Sequence, residues 1–355
     1  MSDAATKKRR PVKRWIVLAL ILLGVYCAYI GPSILKPISP VVVVPAEPTG
    51  LKILGLEITN TMLATLIADV VLILMALSAW RFHRRGSLIP SGFYNGFEAI
   101  IEYLWNAVES QTGKWARRIF PIVGTIFMLI FVANMIKLVP GFESIGYLKE
   151  AHKDPAYAPV QLFNIGSLAV YTIDKGQQVA VESHAESEES GHGEEESASE
   201  EAGLCTACEV VPYLRGSATD LNFTVALAII AVLMTQVYGV WALGPSYFGK
   251  FFQFKALVSG GIFGLINFGV GFLELILEFI KVISFSFRLF GNIFAGALLL
   301  SILGALLPVV LPPGLYLFEI FFGLIQAYVF YLLASVFISM ALVSHHGEEH
   351  AEAEY

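Results

Sequence analysis

Five residues inside one apolar stretch carry the chemistry of this chain. Glu274, Glu278, Lys281, Arg288 and Asn292 lie between Ala256 and Leu307, a run that contains no proline. At about 100° per residue, all five fall within roughly 40° of the direction of Glu274 on a helix. A charged side chain near the centre of a bilayer costs from ~3 to over 10 kcal/mol depending on how it is measured. A stripe of two acids, two bases and an amide on one face therefore points to an ion or proton path. The following apolar stretch repeats the pattern. Glu319 and Gln326 are seven residues apart on one face, with Tyr316 and Gly323 beside them. Two other readings are open at this level: a self-contained secondary transporter, and a scaffold in which the stripe only pairs helices. No internal repeat of the transporter kind is visible.

These residues need membrane helices to position them. The chain has 355 residues, of which 56% are hydrophobic and 15% charged, and a mean hydropathy of +0.69. A soluble domain carries roughly 25% charge. The apolar residues come in runs near the ~20 that cross a hydrocarbon core. The predicted fold is an all-α polytopic membrane protein. It has about six membrane helices, including a long, strongly tilted helical hairpin at the C-terminal end, plus one interfacial amphipathic helix.

Along the chain, residues 1–14 form a basic N-terminus and 15–30 a membrane helix or signal anchor. Residues 31–55, rich in proline, read as an external linker. Residues 56–141 hold two membrane helices. Between them, residues 91–112 alternate Phe93, Phe97, Ile100, Ile101, Leu104 and Val108 with Asn95, Glu98, Glu102, Asn106 and Glu109, the signature of a helix lying on the membrane. Residues 142–216 form an acidic external insertion. Gly176 to Leu214 contains no Lys or Arg, and the composition reads as largely disordered. His184 and His192 in it are read as solvated rather than as ligands. Residues 217–255 give a membrane helix and a cytoplasmic loop, 256–343 the hairpin, and 344–355 a tail. As one helix the 256–307 stretch would be ~75 Å long, against a core of ~30 Å. It either breaks near Gly269-Val-Gly271 or runs strongly tilted. The clusters Lys7–Arg14, Arg81–Arg85, Lys114–Arg118 and Lys250–Lys255 all fall on one side in this topology, which puts both termini in the cytoplasm.

Cys205 and Cys208 form a lone Cys-x-x-Cys, too few ligands for a closed zinc site and readable as an inert pair or a disulfide. No metal site, cofactor or nucleic-acid partner is expected. The chain has no Gly-x-x-x-x-Gly-Lys-[Ser/Thr] run, so nucleotide chemistry is not expected here.

Ser284-Phe-Ser-Phe-Arg288-Leu-Phe-Gly-Asn292-Ile-Phe-Ala-Gly296 resembles the signature of subunit a of F-type ATP synthases. Pro90 to Glu102, Phe131-Val-Ala-Asn134 to Pro140-Gly141, Thr219-Asp-Leu-Asn222-Phe-Thr224, Gln326-Ala-Tyr-Val-Phe and Ser339-Met340-Ala341 resemble other family segments in the same order. The resemblance covers roughly residues 51–346 without the acidic insertion. It implies the stator of a rotary proton path in the F0 sector, without catalytic activity of its own. It implies as partners a c-subunit ring, peripheral-stalk b subunits, the remaining F0F1 subunits and the lipid bilayer. The location it implies is the inner membrane of a bacterium, with an energy-transducing organelle as the other. By the same resemblance, Arg288 matches the essential arginine, Glu274 and Glu278 line an inner half-channel, and Glu319 lies on an outer one. Asn292 and Gln326 are polar neighbours of the arginine. Three positions depart from the pattern. Ala297 stands where many members carry Glu or His, which leaves Glu319 without its usual partner. Val282 replaces a common proline, and Lys137 stands where a glycine or an acid is more usual.

Overall fold

The computed structural model describes residues 12–30, 46–53, 55–84, 92–151, 156–165, 168–179, 205–251 and 261–343. His184, His192, Lys7–Arg10 and the C-terminal tail lie outside the described residues. Two compact units emerge. One is built from residues within 44–143, 214–296 and 319–355, the other from 1–43, 144–213 and 297–318.

The first unit is a helix assembly. Helix α1 (Val12–Val25, continued by a π turn over Tyr26–Ile30) belongs to the other unit. Here a short hairpin of β1 (Pro48–Ile53) and β2 (Leu56–Thr59) leads into α2 (Asn60–Arg84). The proline-rich linker expected over 31–55 thus ends in paired strands, and the membrane helix begins at Asn60 rather than Leu56. Gly55, at φ 83°, supplies the left-handed turn that closes the hairpin. Next come α3 (Phe93–Thr112), α4 (Ala116–Ile136) and α5 (Leu221–Leu243). On α3, Leu104 and Val108 are buried, while Glu98, Glu102, Asn106 and Glu109 are exposed, so the amphipathic pattern is realised in packing. Helix α5 starts where Asp220 accepts from the Asn222 N–H at 2.9 Å and stops at Gly244, φ 66°, whose N–H returns to Val240. A 3-10 segment, Gly244–Lys250, follows.

The core of this unit includes Leu104, Ile119, Ile130, Leu289, Phe330 and Tyr331. Tyr331 hides its ring there and donates its hydroxyl to the Leu104 carbonyl, which satisfies the one polar atom of a buried aromatic.

The last two helices are α6 (Gly261–Leu306) and α7 (Leu311–Leu342). Helix α6 has 46 residues and does not break at Gly269-Val-Gly271. At 1.5 Å per residue it is about 69 Å long, more than twice the ~30 Å hydrocarbon core. Only the unbroken alternative survives. Gly271 has another use: a Cβ there would sit 2.8 Å from the Phe251 carbonyl oxygen and 2.9 Å from that of Lys250. The glycine lets the turn carrying Lys250 lie directly on α6. Gly269 meets nothing within 4 Å. Gly271→Ala is therefore expected to cost about 1–3 kcal/mol through overpacking against backbone. Gly269→Ala should be neutral or slightly stabilising. The midpoint of thermal unfolding of the purified complex in detergent compares the two.

Among the described residues, five helical stretches are long and apolar enough to cross a membrane: Asn60–Arg84, Tyr94–Ile136, Leu221–Lys250, Phe268–Leu306 and Leu311–Leu342. The second joins α3 and α4, and Arg14–Ile30 is a shorter apolar helix. The all-α polytopic architecture holds for the membrane helices.

In the other unit, the described parts of the insertion form strands, where its composition suggested disorder. Strands β3 (Gly146–Glu150), β4 (Ala156–Ile165), β5 (Leu168–Val179) and β6 (Cys208–Pro212) form an antiparallel sheet in the order β3-β6-β4-β5. β4 and β5 pair as a long hairpin from Ala156↔Val179 to Ile165↔Leu168. The aromatic and β-branched Tyr157, Val160, Tyr171 and Ile173 give these segments strand character. A disulfide joins Cys205 to Cys208 at the start of β6. In the same unit, Gly24 of α1 lies against Val309 in the turn between α6 and α7.

Candidate functional site

The stripe of five polar residues on α6 is divided among three environments. Phe285, Leu289 and Ile293 form the buried face of this part of α6. The Phe285 ring packs edge-on against Phe330 at 4.8 Å and Phe337 at 5.5 Å. Ser286 is buried beside them, its hydroxyl 3.2 Å from that of Thr224 on α5. This packing fixes the rotation of α6 and turns Arg288 outward. Arg288 is exposed, as are Ser284 and Phe287 on either side. Among the described residues it has no hydrogen-bond or ion-pair partner, and it is not tied to Glu274 or Glu278. Asn292, one turn on, is half-buried and donates its amide to Gln326 Oε1 on α7 at 3.2 Å. The Gln326 amide nitrogen is buried and finds no acceptor among the described residues.

Toward the N-terminal half of α6, a cluster of two acids and two lysines assembles. Glu278 is buried and accepts from Lys281 Nζ at 2.8 Å. Lys250, from the 3-10 segment, lies 3.5 Å from Glu274 and 3.7 Å from Glu278. Lys250 also donates to the Tyr247 hydroxyl at 2.8 Å, and that hydroxyl donates to Gln236 Oε1 at 2.8 Å. The charges balance, as burial requires. The second oxygen of Glu278 is buried and makes no hydrogen bond among the described residues. It is a carboxylate with spare acceptor capacity. Lys250 appeared in the sequence only as a topology charge. The Gly271 contact that brings it to α6 has no local signal beyond the glycine itself.

Glu319 sits in the third environment. It is buried on α7, in the row with Gly323 and Gln326, whereas Tyr316 is exposed. Its carboxylate is ion-paired with Lys137 at the C-terminal cap of α4. The partner that Ala297 does not provide thus comes from a different helix. On the α6 side, a Cβ on Gly296 would lie 3.5 Å from Glu319 Oε1.

Gly216 lies against Lys137, in a region of further polar contacts. Thr61 donates to Asp220 Oδ2 at 2.8 Å, and the Gly216 N–H donates to Glu143 Oε1 at 2.9 Å. Arg215 feels the carboxylates of Glu143, Asp220 and Glu47. Burial lowers the proton affinity of its guanidinium, and these three acids pull the other way. No group of three or more His, Cys, Asp or Glu able to hold a metal occurs among the described residues.

Arg288 is thus exposed on α6, while Glu274 and Glu278 are paired with lysines toward the N-terminal half of the same helix. A family model described as the ATP synthase A chain matches residues 62–339, well over half of the chain. The chain belongs to the ATP synthase A chain family. The match runs from α2 to the last turn of α7 and so takes in Arg288, both carboxylate clusters and Lys137. As a member of the A chain family, the protein is a membrane subunit of the F0 proton channel, non-catalytic in itself, that assembles with other F0 subunits.

Proposed function

We propose that this A chain is the stator of a rotary proton path. In this reading Arg288 faces the c-subunit ring, Glu274 and Glu278 line an inner half-channel, and Glu319 lines an outer one. The observation that supports it most directly is that Arg288 stands exposed and unpartnered among the described residues, on an apolar helix. A guanidinium keeps its charge under ordinary conditions. In a bilayer its counter-charge must come from outside the described residues. A moving carboxylate on a neighbouring ring supplies one.

The steps follow from electrostatics. A protonated ring carboxyl that reaches Arg288 is stabilised in its ionised form by the cation, so its proton leaves. The nearest acceptors on α6 are Glu278, with its spare buried oxygen, and Glu274. After passing Arg288, the ring carboxylate takes up a proton from the Glu319 side. Arg288 itself repels protons that would cross directly from one half to the other. Each charge moved across 100 mV supplies ~2.3 kcal/mol, so several must add up to drive one ATP synthesis elsewhere in the complex. The basic clusters favour cytoplasmic termini in a bacterial inner membrane, with α3 lying along the interface and peripheral-stalk b subunits holding the stator.

Cysteine cross-linking tests this reading. Ser284→Cys and Phe287→Cys flank Arg288 on the exposed face, and Phe285→Cys lies on the buried one. In membranes holding the whole complex, oxidation is expected to link the first two to a small multicopy subunit and to leave the third unlinked. Labelling of all three only by lipid-soluble reagents, with no subunit cross-link, rules the reading out.

A further inference from the structure

We propose that Lys137 is a positioning residue of the outer proton path, which fixes the Glu319 carboxylate through a buried ion pair. This rests on the reading of Glu319 given above. Both side chains are sealed from solvent, with 5% of Lys137 and 9% of Glu319 exposed. Lys137 caps α4, where a cation is favoured by the last carbonyls of the helix. One turn earlier, Asn134 donates its amide to the Gly323 carbonyl at 3.3 Å, one turn beyond Glu319 on α7. The two helices are therefore joined by two successive rungs, and the pair of contacts fixes their register.

The register depends on small residues. A Cβ on Gly323 would lie 3.2 Å from Asn134 Cβ, so a larger residue would pry the rungs apart. On the other side, a Cβ on Gly216 would lie 3.1 Å from Lys137 Cδ. Gly216 is itself held through its N–H by Glu143. The lysine stem is thus wedged between a bonded loop and α4, and its ammonium is delivered to one carboxylate. A side chain on Gly296 of α6 would come within 3.5 Å of that carboxylate.

The chemistry follows from burial. A buried carboxylate with no counter-charge is costly to ionise and holds on to its proton. Such a group makes a poor relay. The ammonium of Lys137 supplies that counter-charge and holds the Glu319 carboxylate in one place.

The test uses ATP-driven proton pumping by the whole complex in inverted membrane vesicles, normalised to membrane-bound ATPase. Lys137→Met and Lys137→Gln are expected to slow pumping at least tenfold, since both lose the charge while Gln keeps a donor. Lys137→Arg, which keeps the charge, is expected to retain at least half of the rate. If Lys137→Met fails to assemble, Gln and Arg decide between them. Pumping by Lys137→Gln within twofold of the unmodified complex, or by Lys137→Arg as slow as Gln, overturns the role of Lys137. Glu319→Gln in the same series separates the two levels. Its pumping at full rate would overturn the reading of Glu319 itself. A slow Glu319→Gln beside a normal Lys137→Gln overturns only the role of Lys137.

Discussion

Replacing Arg288 with alanine is expected to abolish proton-coupled ATP synthesis, a loss of at least a thousandfold, while the complex still assembles. Assembly should survive because Arg288 makes no contact within the described residues that its removal could break. The faces that hold α6 in place, at Phe285, Leu289 and Ile293, are untouched. Loss of transport follows because, among the described residues, no other unpaired cation is presented at that level of α6. Lys281 and Lys250 are engaged with Glu278 and Glu274, and Lys137 with Glu319. In the proposed rotary path, a ring carboxyl that meets no guanidinium keeps its proton on passing, and rotation no longer forces release. Arg288→Lys should fail as well. An ammonium is a compact, strongly hydrated charge without the planar fork that holds a carboxylate in two places at once. Measuring ATP synthesis and ATP-driven pumping in vesicles, with membrane-bound ATPase as the assembly control, checks both. ATP-driven pumping at unmodified rates in either variant would refute the role.

The outline of this molecule was legible where a single physical rule dominates. Long apolar runs bounded by Arg81–Arg84, Lys114–Arg118 and Lys250 marked the helices, because water and hydrocarbon sort residues strongly. The polar stripe on α6 was visible because any charge in such a run stands out. What the residues touch was harder to read. A helical wheel puts Glu278 and Arg288 in one sector, yet one is buried and the other exposed, because neighbouring helices cover only part of the 46-residue length. Pairings across long separations, Lys137 with Glu319 and Lys250 with Glu274, depend on how helices meet. The glycines at 216, 271 and 323 that permit those approaches look like any others in the sequence. The sheet was missed for a different reason. The Glu- and Ser-rich run within 182–201 dominated the composition of the insertion and masked the strand-forming residues of β4 and β5. Averaging over 70 residues erased a pattern that repeats every two.

Glu278→Leu is the second large expected effect, and it acts on stability and transport together. Glu278 is the acid that joins both lysines of its cluster, at 2.8 Å from Lys281 and 3.7 Å from Lys250. Leucine fills the space but leaves Lys281 with little beyond the face of Phe337, 4.9 Å away. Removing one partner of a fully buried pair costs about 3–5 kcal/mol. Here a quarter of the Lys281 side chain is exposed, and its stem can carry the ammonium outward, so about 2 kcal/mol is expected. Lys250 is less affected because Glu274 and the Tyr247 hydroxyl remain with it. The double variant Glu278→Leu/Lys281→Leu removes the stranded charge and should recover most of the lost stability, since a buried pair exchanged for apolar residues is often neutral. Transport should not recover with it. Both variants lack the buried oxygen proposed to take the released proton, so pumping is expected to stay at least tenfold down in each. Thermal midpoints in detergent and pumping rates in vesicles, measured on the same two variants, separate these effects. Recovery of pumping along with stability in the double variant would show that Glu278 serves only to neutralise Lys281, and would remove it from the inner half-channel.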